Sequence, residues 1–104
     1  MERLQLLSEI KKLVLQQEPH AEVILYGSHA RGDYHKESDM DILILLDKET
    51  ITREDEKRIS YPLYDLEIKN TQVISPLIRS KKVWLEKYPN TPLFINIHNE
   101  GIRL

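Results

Sequence analysis

Five consecutive apolar residues, Ile42-Leu43-Ile44-Leu45-Leu46, form the longest uninterrupted hydrophobic run in the chain, with Asp41 before it and Asp47 after it. Successive side chains of a strand point to opposite faces, so a strand that is apolar at every position must be covered on both sides. Five residues fall far short of the roughly 20 needed to span a bilayer. The run therefore predicts an interior strand with helices packed against its sheet, an α/β (α+β) arrangement. A chain of 104 residues supports one such core, and we expect a single domain over 1–104.

The flanking segments supply the other layers. Over 3–17, Leu4, Leu6, Leu7, Ile10, Leu13, Val14 and Leu15 recur at steps of three and four, which predicts a helix with a core-facing stripe that closes near Pro19. Glu22–Tyr26 is a short β-favouring run broken by Gly27. Thr52, with Asp55 three residues on, reads as the opening of a helix that continues through Ile59, Leu63 and Leu66 to about Asn70. Pro62 would kink that helix, and the alternation around Leu63–Ile68 leaves a strand as the alternative. Val73–Ile78 reads as a strand, with Pro76 arguing for an edge position or a bulge. Ser80 is a cap candidate for a helix over 81–88. Thr91-Pro92 and Gly101 frame a last helix over 92–100. The result is a small sheet with helices packed on it.

Charge and composition exclude some functions. The net charge is −2, so there is no bulk electrostatic case for direct nucleic-acid binding or for an acidic membrane. The chain has no cysteine, which removes disulfides, thiolate metal sites and thiol catalysis. The first residues lack a positive segment followed by an apolar core, so no secretory signal is expected, and the expected compartment is the cytoplasm. The four histidines show no metal-ligand spacing. His29 and His35 are expected at the surface of the loop. Trp84 and Tyr88, four apart, are expected to pack on each other. The basic run Arg79–Lys82 is expected to be a solvated helix start.

The chemistry concentrates in the loop before the apolar run, YGSHARGDYHKESDMD. If Ser28 opens a short helix after Gly27, backbone amides there can receive an anion such as phosphate, and glycine allows close approach. The Ser28 hydroxyl adds a donor, and Arg31 lies one turn further on with a fork of donors. Asp39 and Asp41 sit two apart where the strand begins, which places both carboxylates on one face. Such a pair beside an apolar strand is costly unless a cation lies between them. Mg²⁺ suits it, since Mg²⁺ takes one or two carboxylates and completes its shell with water and substrate phosphates. The combination points to metal-assisted phosphoryl or nucleotidyl transfer.

Gly27-Ser28, ten residues, then Asp39-Met40-Asp41 resembles the signature of the DNA polymerase β-like nucleotidyltransferase superfamily. The fuller stretch GSHARGDYHKESDMDILIL is similar to that of the minimal nucleotidyltransferase domain proteins. The tail TPLFINIHNEGIRL resembles the ending of a subset of them. The resemblance implies a small mixed sheet with helices on it. It implies Asp39 and Asp41 as catalytic metal ligands for Mg²⁺, with Gly27, Ser28 and Arg31 holding the phosphates of a nucleoside triphosphate, ATP above all. It implies attack of an acceptor hydroxyl on the α-phosphate with release of pyrophosphate. Many such proteins are the antitoxin of a two-gene module whose partner is a small helical HEPN-type toxin, modified with AMP. A chain this short has no lobe for a small-molecule acceptor, which favours a protein acceptor.

One position departs from the pattern. The superfamily usually supplies a third carboxylate from a later strand, and here Ser75 stands in the corresponding run, with Pro76 after it. A hydroxyl does not replace a carboxylate as metal ligand or base at neutral pH. Asp65 or Glu67 could substitute, or no residue does. In the last case the chain is a catalytically degenerate module that neutralises its partner by binding alone.

Overall fold

A computed structural model describes all 104 residues, Met1–Leu104. Helix α1 spans Arg3–Gln17, strand β1 Glu22–Tyr26, the one-turn helix α2 Ser28–Arg31, strand β2 Met40–Leu46 and helix α3 Arg53–Asn70. Strand β3 (Ile74–Ser80), helices α4 (Lys81–Lys87) and α5 (Pro92–Glu100), and a two-residue strand β4 (Ile102–Arg103) complete the chain. The sheet order is β3-β2-β1-β4. β1 runs antiparallel to both β2 and β4, while β2 and β3 are parallel, so the sheet is mixed as expected. No helix is long and apolar enough to cross a membrane.

The apolar run behaves as its composition requires. Ile42 through Leu46 are all buried. Ile42, Ile44 and Leu46 join Met40, Val23 and Leu25 on one face and pack against Leu6, Leu7, Ile10 and Val14 of α1 and Ile59, Leu63 and Leu66 of α3. Leu43 and Leu45 face the other way, into a smaller cluster with Trp84 of α4 and Ile97 of α5. Trp84 stacks on Tyr88 with ring centroids 5.5 Å apart, the expected pair, and meets Phe94 at 5.4 Å. Each face of β2 thus has its own helical layer.

Local signals set most element ends. Thr52 and Asp55 form a reciprocal capping box at the start of α3. Ser80 caps α4, and Thr91 caps α5 with Pro92 in the first turn. α3 runs through Pro62 without ending, so the strand alternative at 63–68 is not adopted. Leu63 and Leu66 on its inner face gain enough burial to offset the lost hydrogen bond. β3 lies at the sheet edge, where Pro76 is tolerated, and it extends to Ser80. Two readings need correction. Leu4 is 66% exposed and lies outside the core stripe of α1. β4 was not expected: after Gly101 the chain turns extended and pairs with β1 at Leu25 and Ile24.

The end of the molecule around the α3 cap is held by charge. Asp55 accepts from Lys48 Nζ and Arg58 Nη2, both at 2.8 Å, and from the Thr52 amide at 3.0 Å. Glu18, at the C-terminal end of α1, shares both cations. The Lys48 ammonium, the Thr52 amide and Arg58 together hold the Asp55 carboxyl far below the usual carboxylate range. A depressed acid stabilises the fold above its unfolded pKa of about 3.9, and that contribution is lost as pH falls toward the folded value. Asp55→Ala should therefore lower the unfolding free energy at pH 7 by about 1–2 kcal/mol, from the lost cap and from the loss of one of the two carboxylates that Lys48 and Arg58 share. Urea titrations should find the gap to wild type narrowing once pH drops below about 4.

Candidate active site

The site is built where β1 ends and the antiparallel β2 begins, at one end of the sheet. β1 stops at Tyr26, and Gly27 follows with φ 73° and ψ −155°, a backbone state that L side chains rarely adopt. The turn lets α2 start at Ser28 immediately beside β2. A Cβ placed on Gly27 would collide with Oδ2 of Asp41. The glycine is thus required by backbone geometry and by the close approach of the carboxylate. No side chain caps α2 at its opening.

Sheet register sets the floor. Tyr26, Asp41 and Ser75 stand side by side on β1, β2 and β3. Asp39 lies two residues before Asp41, just outside β2, and Met40 between them points into the core of the opposite face. Asp39, Asp41, Ser28 and Arg31, with Asp33, His35, Glu37 and Ser38, line an open cleft of about 480 Å³ that contains no hydrophobic residue. The structure thus brings together four of the five residues singled out in the sequence, with Gly27 at their back against Asp41. Arg31 reaches the cleft, but its guanidinium is already engaged by Asp33 and Glu100, each at 3.2 Å.

Neither Asp39 nor Asp41 takes part in any ion pair. Asp41 is half-buried, and Asp39 is exposed. Burial, then the neighbouring charge of Asp39, pushes the Asp41 carboxyl above its ordinary value. Burial and the Asp41 charge likewise push the Tyr26 hydroxyl up. Two carboxylates left without a cation, one of them desolvated, fit the donor set Mg²⁺ takes from a protein. No group of three His, Asp or Glu residues stands close enough to hold a metal.

The β3 side of the floor carries no acid. Ser75 is in register with Asp41, and the preceding Val73 accepts the Met40 amide through its carbonyl. Glu67 is spent elsewhere, accepting the Ile74 amide at 2.8 Å. Asp65 lies with Glu9, Leu13 and Lys69 in a groove between α1 and α3, on the far face of the sheet. Neither of these acids lines the cleft.

His29 corrects the expectation of a surface position. It is 4% exposed, stacked on Tyr34 with centroids 4.4 Å apart. Its Nδ1 accepts from Arg3 Nε at 3.3 Å, which leaves Nε2–H to donate to the Ser38 carbonyl at 3.2 Å. Gln72 Nε2 donates to the same carbonyl at 2.9 Å. Both side chains thereby fix the residue before Asp39. No local sequence signal marks them, because their partners lie 26 and 34 residues away. His35 is exposed, as expected.

Comparison with known proteins bears on this site. The family model described as "Nucleotidyltransferase domain" matches residues 7–100. The chain is 33% identical over 106 residues, covering 100% of both chains, to a Methanocaldococcus jannaschii protein named "Putative protein adenylyltransferase". Its fold is similar to a chain in the "Crystal structure of the toxin-antitoxin with AMP-PNP", with a TM-score of 0.66 and 21% identity, over 92% of this chain and 69% of that one.

Gly27→Ala and Gly32→Ala separate the two demands on glycine. Gly32 also has a positive φ, of 86°, but nothing lies within 4 Å of where its Cβ would sit. Its alanine variant should cost about 1 kcal/mol of backbone strain alone. Gly27→Ala adds the collision with Asp41 and should cost roughly 2–4 kcal/mol in chemical denaturation. Asp41→Asn tests the desolvated charge. An acid raised in the folded state binds more protons there than when unfolded, so stability falls as pH rises from about 3.9 through the folded value. Asp41→Asn should be more stable than wild type at pH 7, by about 0.5–1 kcal/mol, with the gain vanishing near pH 3.

Proposed function

Because this chain belongs to the nucleotidyltransferase domain family, we propose that it transfers AMP from ATP to a hydroxyl on a partner protein, with Mg²⁺ held by Asp39 and Asp41. The observation that carries the reading is the pair of unpaired carboxylates lining one cleft with Ser28, Asp41 packed directly against Gly27. When bound, Mg²⁺ would neutralise charge on the phosphates and help to orient the nucleophile. Gly27 and Ser28 receive the phosphates at the α2 opening. Arg31 exchanges Asp33 and Glu100 for a phosphate oxygen, a swap between charge-assisted bonds at an exposed site. The acceptor hydroxyl gives its proton to solvent water as its oxygen bonds to the α-phosphorus, the bond from that phosphorus to the bridging oxygen breaks, and pyrophosphate leaves with that electron pair.

The acceptor reading rests on relatives. The archaeal relative's name specifies a protein acceptor, and the fold neighbour comes from a toxin–antitoxin complex with AMP-PNP. We therefore place the chain as the antitoxin of a module whose partner is a small helical HEPN-type protein, acting in the cytoplasm. Ser75 in register with Asp41 supports a second reading, in which the nucleotide site serves binding alone.

One assay decides between them. The chain is incubated with Mg²⁺, α-labelled ATP and the product of the neighbouring gene. Label should appear on the partner, fall at least a hundredfold for Asp39→Ala or Asp41→Ala, and vanish with EDTA. Ser75→Asp, which restores an acid beside Asp41, should raise the rate. Partner neutralisation without any label, unchanged in the double aspartate variant, would establish the binding-only module.

A further inference from the structure

We propose a second anion site, behind the catalytic loop, that takes a small phosphate-bearing anion; it does not depend on the transferase reading. A cavity of about 400 Å³ lies between the start of α1, the loop at 34–36 and the end of α3. It shares only His35 with the acidic cleft. Leu6 and Met40 in its wall belong to the α1/α3 core, so it opens on the opposite side of the sheet from Asp39 and Asp41.

Its charge is the reverse of the cleft's. The chain has 17 acidic residues against 15 Lys and Arg, yet no Asp or Glu lines this cavity, while Arg3 and Lys36 do. Neither cation enters an ion pair. Arg3 is half-buried and held in place: Nη2 donates to the His29 carbonyl at 2.6 Å, and its guanidinium carbon sits 4.8 Å from the Tyr34 ring centroid. A fixed, partly desolvated guanidinium without a counter-charge is costly, and an oxyanion supplies what it lacks through charge-assisted bonds. His35 accepts the Glu37 amide on Nδ1, so its Nε2–H is left as a further donor. The residues that hold the Ser38 carbonyl, His29 and Gln72, both stand in this cavity's wall, so an occupant presses on the structure that fixes Asp39.

Calorimetric titration of the full chain in EDTA tests this, with inorganic phosphate, pyrophosphate and AMP as three separate titrants. Without divalent metal, the cleft carboxylates repel anions. At least one titrant should bind with one-to-one stoichiometry, and the tightest identifies the source of the phosphate. Arg3→Gln and Lys36→Gln should each weaken binding about tenfold, the worth of one charge-assisted bond, while Arg31→Gln on the cleft side should leave it unchanged. Lys36 is exposed and makes no side-chain hydrogen bond, so its variant keeps the fold even if Arg3→Gln does not. No binding of any titrant at 10 mM, binding insensitive to Lys36→Gln, or loss with Arg31→Gln alone would overturn the proposal. So would single-stranded RNA binding through Arg3 and Lys36 when the three small anions do not.

Discussion

The register of β2 is the constraint on which the rest depends. A slip of one residue would turn Asp41 into the α1/α3 core and Met40 out to the cleft. The apolar run does not prevent this alone, because every position from 42 to 46 is hydrophobic and either face would accept it. The ends of the strand do. Asp41 faces the open cleft, and Asp47 meets solvent just beyond Leu46. The five buried side chains between them contribute roughly 1.5–3 kcal/mol each. That is ample to hold one carboxylate in a half-buried place and one glycine at positive φ. The hydrophobic strand therefore supplies the rigidity, and its polar ends select which rigid arrangement forms.

The chain treats its acids in opposite ways at its two ends. Asp55 is buried and receives Lys48, Arg58 and a backbone amide, so its charge is fully compensated. Asp41 is also partly desolvated, and its immediate neighbour is another carboxylate. A fold selected only for stability would treat both alike. The contrast between a satisfied acid and a strained pair in a cleft is the pattern expected of a functional site. Arg31 makes no ion pair with either carboxylate, because Asp33 and Glu100 already hold its guanidinium.

Features written in local sequence were legible, and features made by distant partners were not. The Thr52/Asp55 capping box, the α1 and α3 stripes and the doubly buried strand each depend on residues within a turn or two of one another. Leu4 fits the helical stripe by spacing, yet no second layer reaches it. β4 is two residues long, too short for any periodicity, and exists only because β1 offers an edge. His29 looks like any loop histidine until Arg3 and Ser38 are brought to it. Glu67 could be weighed as a metal ligand only until its bond to the Ile74 amide was seen. At the cleft, the Gly-Ser turn and the two aspartates are contiguous in sequence and could be read together, whereas the scaffold behind them could not.

That scaffold explains how an exposed carboxylate can be placed accurately. The side chain of Asp39 has no partner, but its backbone neighbours on both sides are anchored. The Ser38 carbonyl receives His29 and Gln72, and the Met40 amide donates to the Val73 carbonyl at 2.9 Å. Anchoring the backbone rather than the carboxylate leaves the oxygens free for a ligand and removes the entropy cost of ordering the loop when it arrives. The anchoring side chains, His29 of α2 and Gln72 of the turn between α3 and β3, both line the cavity behind the loop rather than the cleft. Asp39 is thus fixed from behind and open in front, and neither side chain that fixes the residue before it enters the cleft.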